Sequence, residues 1–236
     1  MKKKNQNLKF FVLYVVLVSA FLLPSCKTAY IVSNFDARTA AHKTVAVLPF
    51  EMIFSGKMPE QLSVAELEKI KDAESKAFMI SFYNEILRST KGGKKPIRVD
   101  IQHYDKTLNL LNANGIDIRS AWNEDPGKLT TILGVEAVVK ARIEKHRLMS
   151  DLASYGIDLG VHIISVISDN ALWFWMPHEL TKSKEVKTSY SLLDKQGAVL
   201  WSIAFNIEAD WREPANHIID NINRKSAKTF PYRKPK

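Results

Sequence analysis

Cys26 is the only cysteine among the 236 residues. No disulfide can close within the chain, so whatever domain follows it has to be held by its own buried apolar residues. The segment ahead of it has the layout of an export signal. Lys2, Lys3 and Lys4 form a basic head, residues 10–23 are almost wholly apolar, and Ser25 places a small residue before the cysteine. The apolar run falls short of the roughly 20 residues that a membrane-crossing helix needs. The competing reading is an uncleaved anchor followed by a stray cysteine.

Leu23, Ser25 and Cys26 stand at the third, first and acceptor positions of a lipobox, and here the chain resembles bacterial lipoproteins. Pro24 departs from the usual small or β-branched residue. The resemblance implies a signal peptide over 1–25 and a mature chain beginning at Cys26, with diacylglycerol on its sulfur and an acyl chain, such as palmitate, on its amino group. No other cofactor is implied. Lys27 in place of aspartate after the cysteine favours the periplasmic face of the outer membrane. Two or more acyl chains give stable anchoring where one would not. Removing residues 1–25 takes four lysines and no acid from a chain of net charge +9, leaving +5. A mildly basic surface of that size suits an anionic bilayer or cell-wall polymer, and equally a plain solvated exterior.

The remaining residues, about 190, are enough for one sizeable core. Residues 26–43 have no sustained period and read as a lipidated tether. Residues 44–50 (TVAVLPF) read as a strand buried on both faces and closed by Pro49. Ser63 and Glu66 form a capping box that opens a long helix, and Lys91-Gly92-Gly93 ends it. Val64, Leu67, Ile70, Phe78, Phe82 and Ile86 recur along it at helical spacing. Residues 96–101 read as a strand and 104–111 as a helix. Asp125-Pro126 opens a third helix that stops at Gly134. In 136–145, Val139, Ala141 and Ile143 alternate with Lys140, Arg142 and Glu144, which predicts a strand with one wet face. Val186, Thr188, Tyr190 and Leu192 alternate likewise. Asp194-Lys195-Gln196-Gly197 is a hairpin turn, and Val199, Trp201, Ile203, Phe205, Ile207, Ala209 and Trp211 form the clearest period-two stripe. Residues 214–222 read as a last helix and 227–236 as a basic tail. The order predicts a single three-layer α/β domain over 44–226 with a mixed sheet of about five strands.

Three stretches carry a wider resemblance: Val45-Ala46-Val47-Leu48-Pro49-Phe50, the join Leu133-Gly134-Val135-Glu136-Ala137-Val138-Val139, and the hairpin Leu193 to Trp201. Their order is similar to that of a periplasmic lipoprotein superfamily. It includes the curli-secretion channel CsgG, penicillin-binding-protein activators of the outer membrane and a neisserial lipoprotein family. The resemblance spans roughly 44–211 and implies a fold like the N-terminal domain of TolB. It also implies a non-enzymatic envelope protein that assembles, gates or activates something. The curli channel inserts two membrane-crossing hairpins per chain, whereas one candidate insertion is found here, at 150–178.

That insertion is strongly apolar. As a helix it places Leu159 and Ile163 on one face with Gly156 and Gly160, and further on it carries Trp173 and Trp175. It reads as a helix packed on the domain, as an amphipathic element meeting a membrane or neighbouring subunit, or as a membrane hairpin. Leu159, Ile163, Trp173 and Trp175 are the candidate membrane or partner contacts, since indole rings suit an interface.

No catalytic constellation emerges. The six histidines lack metal-pair spacing, so no metal site is assigned, and no G-x-S-x-G elbow exists. Phe230 and Tyr232 among the tail's cations could stack on nucleic acid, but an exported chain meets none. The sequence therefore predicts a lipid-anchored scaffold, adaptor or oligomeric assembly and secretion factor with an envelope protein partner, or copies of itself, and no enzymatic activity. The alternatives are an activator of a cell-wall synthase and, behind it, an enzyme acting on glycan or lipid.

Overall fold

A computed structural model describes residues 29–56, 63–90, 96–147, 185–208 and 215–233. Cys26, Leu159, Ile163, Trp173 and Trp175 lie outside the described residues. The described chain is an α/β domain built on one mixed sheet of seven strands. The strands are β1 (Tyr30–Ile31), β2 (Thr44–Val47), β3 (Glu51–Gly56), β4 (Asp100–Ile101), β5 (Ala137–Arg147), β6 (Glu185–Asp194) and β7 (Val199–Glu208). The helices are α1 (Phe35–Arg38), α2 (Val64–Arg88), α3 (Tyr104–Ala113), α4 (Pro126–Leu133) and α5 (Ala215–Ala227), with a 3-10 turn at Ser120–Trp122.

The sheet runs β1-β7-β6-β5-β2-β4, with β3 also paired to β5. β2 and β3 pair parallel with β5, β6 pairs antiparallel with β5, and β7 pairs antiparallel with β6. Two strands exceed the expected five. β3 is the first, because the strand read over 44–50 does not end at Pro49. Val47 pairs with Val139 and Glu51 with Arg142, so Leu48, Pro49 and Phe50 oppose only Lys140 and Ala141. The extra residue absorbs the proline, which has no N–H to give, and β3 resumes along the same neighbour. β1 is the second. It lies inside the segment expected to be a tether, pairs antiparallel with β7, and is followed by α1, whose Phe35 is buried.

The local punctuation holds. Ser63 Oγ accepts from the Glu66 N–H while the Glu66 carboxylate accepts from the Ser63 N–H. Asp125 caps α4 through the Lys128 N–H, and Gly134 closes it in the left-handed region at φ 65°. Gly197 takes φ 76° in the hairpin, where Asp194 Oδ1 accepts from the Gln196 and Ala198 N–H groups. Val64 is the exception on α2. It opens the helix but is 77% exposed.

Helices cover both sheet faces. α2 and α5 pack on the side of Val45, Val47, Val139, Tyr190 and Trp201, with Phe78, Phe82 and Ile222 supplying the helix side. α3 and α4 pack on the side of Ala46, Leu48 and Val138 through Leu111, Leu129 and Leu133. Phe50 stands at the junction, its ring 5.5 Å from Tyr190 and 5.9 Å from Phe78. Tyr190 donates to Asn223 Oδ1 at 2.7 Å, and Asn223 donates to the Phe78 carbonyl at 3.0 Å. One buried amide thus ties the sheet, α2 and α5 together, with its polar atoms satisfied.

Three further differences from the sequence reading have physical reasons. The stripe on β7 begins at Trp201 rather than Val199, because a register shift opposite Leu192 and Leu193 makes room for Leu200, which is buried while Val199 is exposed. The strand read over 96–101 shrinks to Asp100–Ile101, with Ile97 instead bridging to Arg233. The segment read as a basic tail belongs to the core as far as the described residues extend. α5 runs on to Ala227, and Phe230 and Tyr232 are 1% and 0% exposed. The Arg98 N–H donates to the Tyr232 carbonyl at 2.9 Å, and Arg233 donates to the Ala227 carbonyl at 2.7 Å.

Candidate functional site

The break between β2 and β3 opens a cleft. Its floor is Phe50, Glu51 and Met52, one wall is the first half of α2, and the other is Ile118 and Arg119 ahead of the 3-10 turn. It lies where β2 ends, at the carboxyl side of parallel strands, a place where α/β sheets commonly leave a crevice.

The loop that forms the second wall is pinned from below. Lys140, on the face of β5 expected to be wet, is buried and donates to the carbonyls of Trp122 at 2.6 Å and Glu124 at 2.7 Å. Burial pushes its ammonium below the ordinary value. Arg142, the next residue on that face, binds the Glu51 carboxylate and lays its guanidinium 5.1 Å from the Trp122 ring centre. Asp117 accepts from the Ser120 N–H at 2.7 Å, and these hydrogen bonds hold its carboxyl below the usual range.

Arg119 then reaches across to α2. Its Nη1 donates to Glu68 Oε2 at 3.1 Å, and its Nε lies 3.2 Å from Asp72 Oδ1. The second approach lacks the angle of a hydrogen bond, so among the described residues this buried Asp72 oxygen has no hydrogen-bond partner. Lys71 Nζ donates to Glu68 at 2.8 Å, and that bond is the main reason the Glu68 carboxyl is held below its ordinary value. Ser75, one turn further on and 2% exposed, lines the cleft with a hydroxyl that has no hydrogen-bond partner among the described residues.

Both cations of the lining are therefore committed to acids, and among the described residues one buried carboxylate oxygen and one buried hydroxyl lack a hydrogen-bond partner. Lys71 sits one turn before Ser75, as a general base to a serine would. Its Nζ is instead held by Glu68 at 2.8 Å, so it is not placed as a base on Ser75. The cleft holds about 180 Å³, below the roughly 300–1,000 Å³ of small-molecule sites. It has room for a side chain or two. Glu51, Glu68 and Asp72 are balanced by Arg142, Lys71 and Arg119, so the unpartnered oxygen and hydroxyl favour a hydrogen-bond donor.

Asp72 yields a pH prediction. Burial raises its carboxyl above the ordinary 3.8, and Arg119 only partly offsets this. A carboxyl raised in the folded state favours folding while protonated, and that contribution is lost as pH climbs through the folded value. Asp72→Asn is therefore expected to raise Tm at pH 7 by about 1–2 °C. The gain should fade on acidification and vanish below pH 3.8. A Tm that falls at pH 7 would contradict it.

The sequence-chosen residues Cys26, Leu159, Ile163, Trp173 and Trp175 fall outside the described residues. Arg119 and Asp72 meet only through the fold. Among the described residues no group of three or more His, Cys, Asp or Glu is placed to hold a metal, and no helix is long and apolar enough to cross a membrane.

No family model matches the chain, and no curated protein does. Among solved structures it is similar to lipoprotein GNA1162 from Neisseria meningitidis, at 11% identity and a TM-score of 0.43, over 79% of this chain and 96% of that one. It is also similar to the PelC dodecamer from Paraburkholderia phytofirmans, at 12% identity and a TM-score of 0.38, over 82% and 90%. The LpoB C-terminal domain from Salmonella enterica is similar at 9% identity and a TM-score of 0.34, over 74% and 93%.

Proposed function

We propose that this chain is a lipid-anchored lipoprotein of the bacterial envelope that works as a non-enzymatic adaptor. Cys26 carries the diacylglycerol and N-acyl chains at the periplasmic face of the outer membrane, and the α/β domain receives a protein partner. The observation that carries the reading is the cleft between α2 and Arg119. Its cations are spent on its own acids, while Asp72 Oδ1 and Ser75 Oγ are buried without hydrogen-bond partners among the described residues. A partner's lysine, arginine or amide would satisfy both acceptors, and each buried orphan otherwise costs about 1–3 kcal/mol. Leu159, Ile163, Trp173 and Trp175 form the second contact element in this reading, toward the partner or the bilayer.

Crosslinking of the acylated protein in its own membrane, with the captured partners identified, tests it. Asp72→Lys would place an ammonium against Arg119 and is expected to abolish capture while the protein stays folded and acylated. Deletion of 157–175 is expected to do the same. Full partner recovery from both variants would end the adaptor reading. A cell-wall synthase is the first partner to try, because the three sequence motifs resemble the family that includes penicillin-binding-protein activators. The purified chain should then raise the rate of a glycosyltransferase or transpeptidase. No stimulation would leave scaffolding or self-assembly as the role.

A further inference from the structure

The sequence reading puts a long tether between the anchor and the domain, and the fold shortens it. Ala29 already packs on the main core, and Tyr30 and Ile31 are paired with Ser202 and Trp201. Only Lys27 and Thr28 separate Cys26 from Ala29. Three Cα steps of ~3.3–3.6 Å reach at most about 11 Å. A domain of about 190 residues has a radius of gyration near 16 Å, which for a compact sphere means about 21 Å of body on every side of its centre. The anchor is shorter than that. The domain cannot swing clear of its membrane, and the side bearing Ala29 has to face it.

That side is the apolar edge of the sheet. β1 is the terminal strand, with nothing paired beyond it among the described residues. Tyr30 is 53% exposed and Ile31 46%, and Val199, two residues before the Trp201 that pairs with Ile31, is 39% exposed. A tyrosine with an apolar ring and a polar hydroxyl suits the headgroup level of a bilayer. The opposite edge is β4, followed by α3, where Asp105 and Lys106 are exposed. Five strand spacings separate the two edges, about 24 Å.

We infer that the β1 edge, with Tyr30, Ile31 and Val199, is the surface on which the domain rests against the bilayer that holds Cys26. The inference rests on acylation of Cys26, as read under Proposed function. It adds an orientation: the α2 cleft is held at a fixed attitude to the lipid rather than swept through the space around it.

The test uses the single cysteine. Once acylated, Cys26 has no free thiol, so a second cysteine alone takes a thiol-reactive fluorophore. Acylated full-length Ile31→Cys and Lys106→Cys are labelled and placed in phosphatidylethanolamine–phosphatidylglycerol vesicles containing a headgroup-nitroxide lipid. The label at 31 is expected to lose most of its fluorescence and the label at 106 to keep it. A Gly/Ser spacer of about 15 residues after Thr28, reaching about 20 Å, should erase the difference. If Ile31→Cys disturbs β1, Val199→Cys repeats the measurement with the same expectation. Equal quenching at both edges overturns the inference. So does self-quenching at 31 that falls when unlabelled protein is added, since a second copy would then cover the edge. An unmodified Cys26 by mass spectrometry would sink the anchor reading itself, whereas equal quenching on an acylated chain sinks the edge assignment alone.

Discussion

Glu74→Leu is expected to cost about 3–5 kcal/mol, enough to leave the domain marginal or unfolded. Glu74 and Lys145 face each other between α2 and β5, 2.6 Å apart, with side chains 6% and 3% exposed. Lys145 stands on the same face of β5 as Val139, Ala141 and Ile143, and the rings of Phe54 and Phe78 lie beside its ammonium at 5.8 and 5.4 Å. Removing the carboxylate takes from that buried ammonium the counter-charge 2.6 Å away, and breaking such a pair costs more than the pair is worth. One Glu74 oxygen already has no hydrogen-bond partner among the described residues, so the pair is not an optimised one. The double variant Glu74→Leu with Lys145→Met should accordingly recover most of the loss. Urea midpoints of the wild type, both single variants and the double variant decide it. A Glu74→Leu midpoint unchanged from wild type would contradict the account.

Phe230→Ala should be comparably damaging, at about 3–5 kcal/mol. Its ring is 1% exposed and meets Phe82, Trp201 and Tyr232 at 6.4, 5.9 and 5.6 Å. Removing everything after Lys228 should be worse. It also takes away Tyr232, whose hydroxyl lies 2.6 Å from His42 Nδ1, and Arg233, which bridges to Ile97. A solvated tail would predict no change at all, so thermal unfolding of the two variants separates the alternatives sharply.

These two sites show what was legible in the sequence and what was not. Ser63 with Glu66, Asp125 before Pro126, Gly134 and Gly197 act within a few residues of themselves, and each ends or begins the element it announces. The stripe Val186, Thr188, Tyr190, Leu192 is legible for the same reason. β1 is too short to carry a period. β3 follows a proline that reads as a stop. Phe230 and Tyr232 sit among cations that look solvated until the sheet reaches them. Glu74 and Lys145 each break an apolar stripe, and the two breaks explain one another only once α2 lies on β5. The cleft is less legible still. Arg119 and Asp72 belong to different elements with no local spacing to relate them, and the pinning of their loop by Lys140 needs the strand face to be covered. The sequence-chosen contacts rest on local apolarity and lie outside the described residues.

β1 also bears on how a soluble fragment of this domain would behave. A fragment started at Thr44, where the apparent tether ends, would lose Phe35 from the core and strip β7 of its partner along Trp201 and Ser202. That would leave β7, ten residues of alternating apolar strand, as a bare margin able to pair with another molecule. Such a fragment should self-associate and precipitate, while one begun at Ala29 keeps a capped sheet. Tyr30 and Ile31 thus also serve as a guard against aggregation.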